Sequence, residues 1–568
     1  MARGRRFRAP RRQRGLVLVL VLSLVVAAAL WGITSSFGTA AQRVDRGRAT
    51  MAAIMQAKEA LIARAALDAS RPGSLPCPDL NNDGVADTAC TPIAGPVPPN
   101  SRVGRLPWQT LGLPDLRDAS GERLWYALSA SFTDRTASQP INSDTQGQLQ
   151  LTGLAPAQRI VAVIIAPGAP LNQNRGPGQT NNVANYLEGE NNYTLDPGSV
   201  NNDIFQNGPA SATFNDIVVP ITEEELFSVV ENMVALRLRE HVKPVIDTEY
   251  RDFWGAYPFP AAFDPGTASP PGYVGVVGAT EGQLPISDPS SLSFPWTSIT
   301  VTGPIGDFSG PPTCSVTPPG DVATCTAVPI NPSAVLTVEL TASNVGRSFA
   351  KWDDTLVTVD ETPPGINVPA TITGTSAGSL DSAGNGRVTV SVVLATIGTT
   401  YKVYFPRPQV DPVLSTTTPS SATPNARFFF DNEWYRLVYY AGSPGALPGG
   451  SLACTLNTAK VPPPCAVDAT YQPLDAAATC PGSPPVPAPP PCIPRVRLDG
   501  TRDDGGVMLV LAGRAMKVGG TVQPRPASLL ADYLEGAKNL DTPSLTPREF
   551  EQKPRATDFN DRVVLLAP

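Results

Sequence analysis

The chain repeats itself, and the repeat limits its fold more than any other feature. "VANYLEGENN" (Val183–Asn192) matches "LADYLEGAKN" (Leu530–Asn539), and downstream "TFNDIVVPI" matches "DFNDRVVLL". Upstream, "IVAVIIAPG" matches "GVMLVLAGR", and before those "GERLWYALS" parallels "NEWYRLVYY". Four blocks in one order at similar spacing mean one supersecondary plan drawn twice. Helical patterns precede both copies. In the first, Met51, Ile54, Met55, Leu61, Ile62 and Ala65 recur at helical spacing before "RPGSLPCPDL". In the second, "TEEELFSVVENMVALRLREHV" precedes "GAYPFPAAF". Its Thr222 and Glu225 form a capping box, and Leu226, Val229, Val230, Met233 and Val234 give an apolar face. Each half reads as helix, loop, strands, a buried strand, the YLEG turn and a last strand after FND.

The second half is longer by an insertion at about 284–426. It carries β-rich runs such as "SAVLTVELTAS" and "GRVTVSVVLA" between Pro and Gly, the pattern of a small sandwich. Beyond it, "CPGSPPVPAPPPC" predicts an exposed polyproline loop pinned at both ends.

Charge and cysteines place limits on function. The net charge is −7, yet the first 14 residues hold seven arginines. The remainder is strongly acidic, which argues against nucleic acid as a partner. The eight cysteines fall into close pairs: Cys77 with Cys90, Cys314 with Cys325, Cys454 with Cys465, and Cys480 with Cys492. Pairing by proximity is assumed, since spacing alone does not fix connectivity. Zinc wants shorter spacings, so four local disulfides and an oxidising compartment fit better.

Near the N-terminus, Leu16–Ile33 is apolar apart from Ser23 and Gly32, about 27 Å of helix. The arginines before it predict a cytoplasmic N-terminus and an external body. Three readings compete: a secretion signal cleaved near Ala40, a plain anchor, or the stem of an assembling subunit. In the third, the segment and the Met51–Leu67 pattern make one long helix carrying a globular head.

Here "RQRGLVLVLVL" resembles the type IV pilin and pseudopilin superfamily, whose members carry a basic leader ending in Gly. The resemblance implies cleavage by prepilin peptidase between Gly15 and Leu16, and packing of the helix among other pilin or pseudopilin subunits. Leu20 departs from the pattern, because the family's glutamate belongs at that position; this suggests a tip or initiating subunit, or no filament. "LRDASGERLWYAL" is similar to the stretch by which pseudopilin heads enter their sheet. The expected fold is α+β: a transmembrane helix running into a pilin-like head of helix plus antiparallel sheet, duplicated in tandem. The expected divisions are a basic leader at 1–15, a transmembrane helix at 16–33, a first domain at 34–220 and a second at 221–568. The expected role is a minor pilin or pseudopilin-like component of a type IV pilus or type II secretion-like apparatus, single-pass in the inner membrane, with its body in the periplasm. The rival is an anchored binding or adhesion protein outside any filament.

Two sites carry candidate chemistry. In "DLNNDGVAD", Asp79, Asn81, Asp83 and Asp87 stand at positions 1, 3, 5 and 9 of a calcium-loop pattern, with Gly84 at the turn. Cys90 replaces the glutamate expected at 12. The competing reading is an Asp/Asn turn that binds nothing. Glu188, Asn215 and Asp216 recur as Glu535, Asn560 and Asp561. Paired carboxylates could act as acid and base. Side chains tying loop amides beside the last strand explain the recurrence better, since a fold constraint repeats in both copies and an active site need not. With one histidine, His241, and no GxSxG, P-loop or HExxH, the sequence points away from an enzyme.

Overall fold

The computed structural model describes residues 14–88, 90, 103–134, 139–154, 159–171, 175, 182–192, 204–265, 274–286, 294–347, 350–362, 371–375, 378–410, 426–443, 446–448, 496–498, 502–505, 507–518, 521–522, 525, 529–540, 549–556 and 558–567. The described residues open with helix α1 (Arg14–Leu67). Then come strands β1 (Val103–Arg105), β2 (Trp125–Leu128), β3 (Ile160–Ala166) and β4 (Ile217–Thr222), and helix α2 (Glu223–Arg237). After β5 (Glu281–Gln283) come β6 (Trp296–Val301), β7 (Thr313–Thr317), β8 (Val322–Ala327), β9 (Ala334–Ala342), β10 (Thr358–Thr362), β11 (Thr371–Thr375), β12 (Gly386–Leu394) and β13 (Thr400–Pro406). The last three are β14 (Val438–Gly442), β15 (Val507–Leu511) and β16 (Arg562–Ala567).

Two sheets share one strand order, β1-β2-β3-β4 and β5-β14-β15-β16, antiparallel throughout. Strands β3, β14 and β15 are buried at every position, as strands covered on both faces must be. Helix α1 turns Ile54, Ala57, Leu61 and Ala65 into the core, at i, i+3, i+7 and i+11, and α2 meets them with Leu226, Phe227, Val230 and Val234. The expected α2 face was slightly misdrawn: Phe227 is buried and Val229 is exposed. The capping box is present, and Lys58 donates from α1 to Glu225 (2.6 Å) and to the Pro220 carbonyl (2.8 Å). Helical backbone continues past α2 through Leu238–Val242 in a wider, i→i+5 turn that leads into Pro244. Pro244 has no N–H to give the preceding turn, so the hydrogen-bond ladder resets there. His241 lies in that wide turn.

The inserted strands form a sandwich of two sheets, β10-β13-β8-β7 against β11-β12-β9-β6. Along β9 and β12 buried residues alternate with partly exposed ones, the period of a sheet with one packed face. Cys314 and Cys325 face each other across the β7–β8 hairpin and form a disulfide, and Cys77 and Cys90 form another. Cys454, Cys465, Cys480, Cys492 and the polyproline loop lie outside the described residues.

Three expectations need correction. The fold is not a transmembrane helix feeding duplicated pilin heads: it is β-rich, built from antiparallel sheets with few helices. The threonine- and valine-rich insertion alone contributes a whole sandwich, which shifts the balance away from an α+β plan. Among the described residues no helix is long and apolar enough to cross a membrane. A span asks for about 20 consecutive apolar residues. Here the run at 16–33 is broken by Ser23 and Gly32 and continues as one 54-residue helix into the charged turns of Arg43, Asp45, Arg46 and Arg48. The transmembrane segment is therefore withdrawn, and with it the single-pass inner-membrane localisation.

Candidate functional site

The two copies meet in detail at the YLEG turn. Tyr186 and Leu187 pack on the outer face of the first sheet, against Trp125, Val163 and Ile165. Strand pairing fixes the equivalences. Ile165 lies opposite Trp125 and Val218, and Val510 lies opposite Tyr439 and Val563. "WYAL" (Trp125–Leu128) thus superposes on "YYAG" (Tyr439–Gly442), three residues from where the sequence blocks align without gaps. The pairing also exposes a fifth repeated block, "VGRLPW" (103–108) and "EGQLPI" (281–286). Gly104 and Gly282 are its matched glycines. An added Cβ would stand 2.7 Å from the Asp79 carbonyl in the first copy and 1.9 Å from the Ala261 carbonyl in the second. This block was legible in the sequence and was missed.

In the first copy, Asp216 Oδ2 accepts from the Glu188 backbone N–H (2.9 Å) and from Asn191 Nδ2 (3.0 Å). Glu188 Oε2 accepts from the Asn215 N–H (3.1 Å). Arg175 donates to the carbonyls of Asn185 (2.8 Å), Gly168 (2.8 Å) and Tyr186 (3.1 Å), with Glu188 Oε1 at 3.9 Å. The second copy repeats this atom for atom. Asp561 Oδ2 accepts from Glu535 N–H (2.8 Å) and Asn539 Nδ2 (2.9 Å), and Glu535 Oε2 accepts from Asn560 N–H (3.3 Å). Arg525 donates to the carbonyls of Asp532, Gly513 and Tyr533, with Glu535 Oε1 at 4.0 Å. Each arginine also lies over its tyrosine ring, at 4.9 Å and 4.5 Å.

Each clasp therefore fastens the YLEG turn to the start of the last strand. Its carboxylates are buried: Asp216 is 3 % exposed and Asp561 0 %. Burial pushes the Asp216 carboxyl up to about 8, and burial followed by the neighbouring Glu535 pushes Asp561 well above the usual carboxylate range. Arg175, Arg525, Asn191 and Asn539 were not foreseen. The arginines stand 11 and 8 residues before their tyrosines, and Asn539 aligns by sequence with Asn192, not with Asn191. The turn after Gly189 is a tight three-residue one, while Ala537–Leu540 winds as α-helix, and this shifts the asparagine by one position.

The "DLNNDGVAD" loop occurs in the first copy alone, since Asp79 pairs with Arg105 as Ala261 pairs with Gln283. Asp79 is 1 % exposed, and its oxygens accept from the amides of Asn82 (2.6 Å), Asp83 (3.2 Å) and Gly84 (2.7 Å). Asn81 Oδ1 takes the Asp83 N–H, Asp83 Oδ1 the Val85 N–H, and Asp87 Oδ2 the Leu80 N–H. These oxygens hold the loop's own backbone amides. Among the described residues no three His, Cys, Asp or Glu side chains gather as metal ligands. Gly15 and Leu16 lie in the first turn of α1.

No family model matches the chain, and no curated protein or solved structure matches it.

Proposed function

We propose that the protein is a structural subunit that works by assembly, in the manner of a minor pilin or pseudopilin, with α1 as the stem that joins it to its neighbours. The carrying observation is the two-part character of that one helix. From Ile54 onward its apolar side chains are in the core. Towards its start, Val19, Leu20, Leu22, Leu24, Val25 and Trp31 are each more than half exposed. A helix that is apolar all round and uncovered calls for partners, and apolar helices of other subunits match it in length and chemistry. The basic leader ending at Gly15 supports the same reading. The clasp carboxylates hold the YLEG turns in both copies, and the proposed role is presentation and packing.

The test is to map the mature N-terminus with and without prepilin peptidase, and to place a photo-crosslinking residue at Val25. A peptidase-dependent start at Leu16, with crosslinks to a second helical subunit, is the expected result. A start at Met1 or Ala2 with no protein crosslink would favour the solitary binding protein and overturn the assembly reading. So would a start near Ala41, which removes the stem.

A further inference from the structure

The clasps contain an arrangement that only a proton completes. Asp216 Oδ2 has two N–H donors, while Asp216 Oδ1 is buried with none, and Asp561 Oδ1 is buried with none in the same way. The bonds from Glu188 N–H to Asp216 and from Asn215 N–H to Glu188 set the two carboxyl groups side by side, and the matching bonds do the same for Glu535 and Asp561. Two carboxylates cannot hydrogen-bond to each other, because both only accept; one must be protonated. Each glutamate faces an arginine, at 3.9 Å from Glu188 Oε1 and 4.0 Å from Glu535 Oε1, which favours its charged form, while the aspartate Oδ1 is buried without an N–H donor and is the oxygen placed to carry the proton in both copies. We propose that each clasp is fastened by a single proton, held on Asp216 and donated to Glu188, and held on Asp561 and donated to Glu535. The two clasps are thus matched latches that release the YLEG turns when the medium becomes alkaline.

The surrounding charges are consistent with one ionised carboxylate per clasp and not two. Arg175 faces Glu188 but also faces Glu122 at 3.3 Å, and Asp118 reaches the same corner through the Gly168 N–H (2.8 Å). Arg525 faces Glu535 but also Asp144 at 3.4 Å, with the Glu231 carboxylate acting on Glu535 as well. Glu551 receives the Lys538 N–H at 3.4 Å and is paired with Lys553. Each arginine is thus already shared between two acids. Ionising the aspartate adds a third negative charge with no new cation, next to a carboxylate it then repels.

The sign follows from linkage. The folded clasp holds a proton that the unfolded chain releases, so its contribution is complete below the ordinary aspartate range and is lost as pH rises through about 8. The experiment is to count protons released when the full chain is unfolded in guanidinium at pH 6.5, in lightly buffered solution. It compares the wild-type chain with Asp216→Asn, Asp561→Asn and the double variant. The amide is isosteric, keeps an oxygen for the two N–H donors and offers the glutamate an N–H in place of the acid proton. The double variant should release about two fewer protons than wild type, and each single variant about one fewer. Infrared spectra give a second reading: a carboxylic-acid carbonyl band present in the folded wild-type chain at pH 6.5, and missing from the double variant, should fade as the medium becomes alkaline. Equal proton release by wild type and double variant, or no such band, would overturn the proposal.

Discussion

Glu231 is the residue on which the two copies depend jointly. It lies on α2 at 0 % exposure and gathers three donors. Oε1 accepts from Ser143 Oγ of the first copy (3.0 Å) and from the Arg514 N–H of the second (2.7 Å), and Oε2 pairs with Arg555 Nη1 (2.6 Å). Glu231→Gln keeps the shape and Oε1 but turns an amide N–H₂ towards the Arg555 guanidinium. One charge-assisted bond worth about 1.5–3 kcal/mol is lost, and a largely buried arginine is left uncompensated. Breaking a buried pair from one side costs about 3–5 kcal/mol, so the loss expected here is of that order. Urea unfolding followed by tryptophan fluorescence reads it. Arg555→Met made in the Glu231→Gln background should cost about 2 kcal/mol less than in wild type, because the charge it removes is already stranded. A Glu231→Gln cost below about 1 kcal/mol, or an Arg555→Met cost equal in both backgrounds, would refute the argument that this buried ion pair holds α2 to the C-terminal segment of its own copy.

Other consequences can be checked separately. Leu61→Ala, in the core between α1 and α2, should cost about 2–5 kcal/mol by the same urea assay, whereas Met51→Ala on the exposed side of α1 should cost under about 0.5 kcal/mol. Gly282→Ala, at φ +156° with a carbonyl 1.9 Å from the new Cβ, should open the second sheet to limited proteolysis, and Gly104→Ala, at 2.7 Å, should do so less. Burial pushes Glu223 up to about 7, so its contribution is full below its ordinary value of 4.5 and lost as pH rises through 7. Glu223→Gln should flatten the melting temperature between pH 5 and 8. Replacing Cys314 and Cys325 by Ser should remove about 3 kcal/mol from the sandwich, seen as earlier exchange of its amides with the two paired sheets unchanged.

How much of this was legible varies with the kind of signal. The repeat was plain in sequence because YLEG and FND are short, rigid and bound to each other by side chains. The register of "WYAL" against "YYAG" was not, because ladder pairing fixes it and shared letters do not; Trp125 and Tyr439 occupy one position with different side chains. The clasp arginines escaped notice because a guanidinium reaches its carbonyls from a loop whose length is free to differ. The calcium pattern is ambiguous in sequence because Asp and Asn at alternate positions serve backbone amides as well as a cation, and Asp79 holds the amides of Asn82 and Gly84. The apolar run at 16–33 invited a membrane reading from composition, while its continuity with the Met51–Leu67 pattern as one long helix was legible in the sequence and is present in the structure.

Strand β4 ends at Thr222, and Thr222 is also the cap of α2. The closing strand of one copy and the opening helix of the next therefore share a residue, with no linker to sever. The plan drawn twice is thus one continuous body at this joint. During synthesis, the apolar side of α1 stays uncovered until α2 has left the ribosome, so the first copy waits for part of the second before it can close. Fragments split at this joint should fail alone, and should recover structure only when produced side by side.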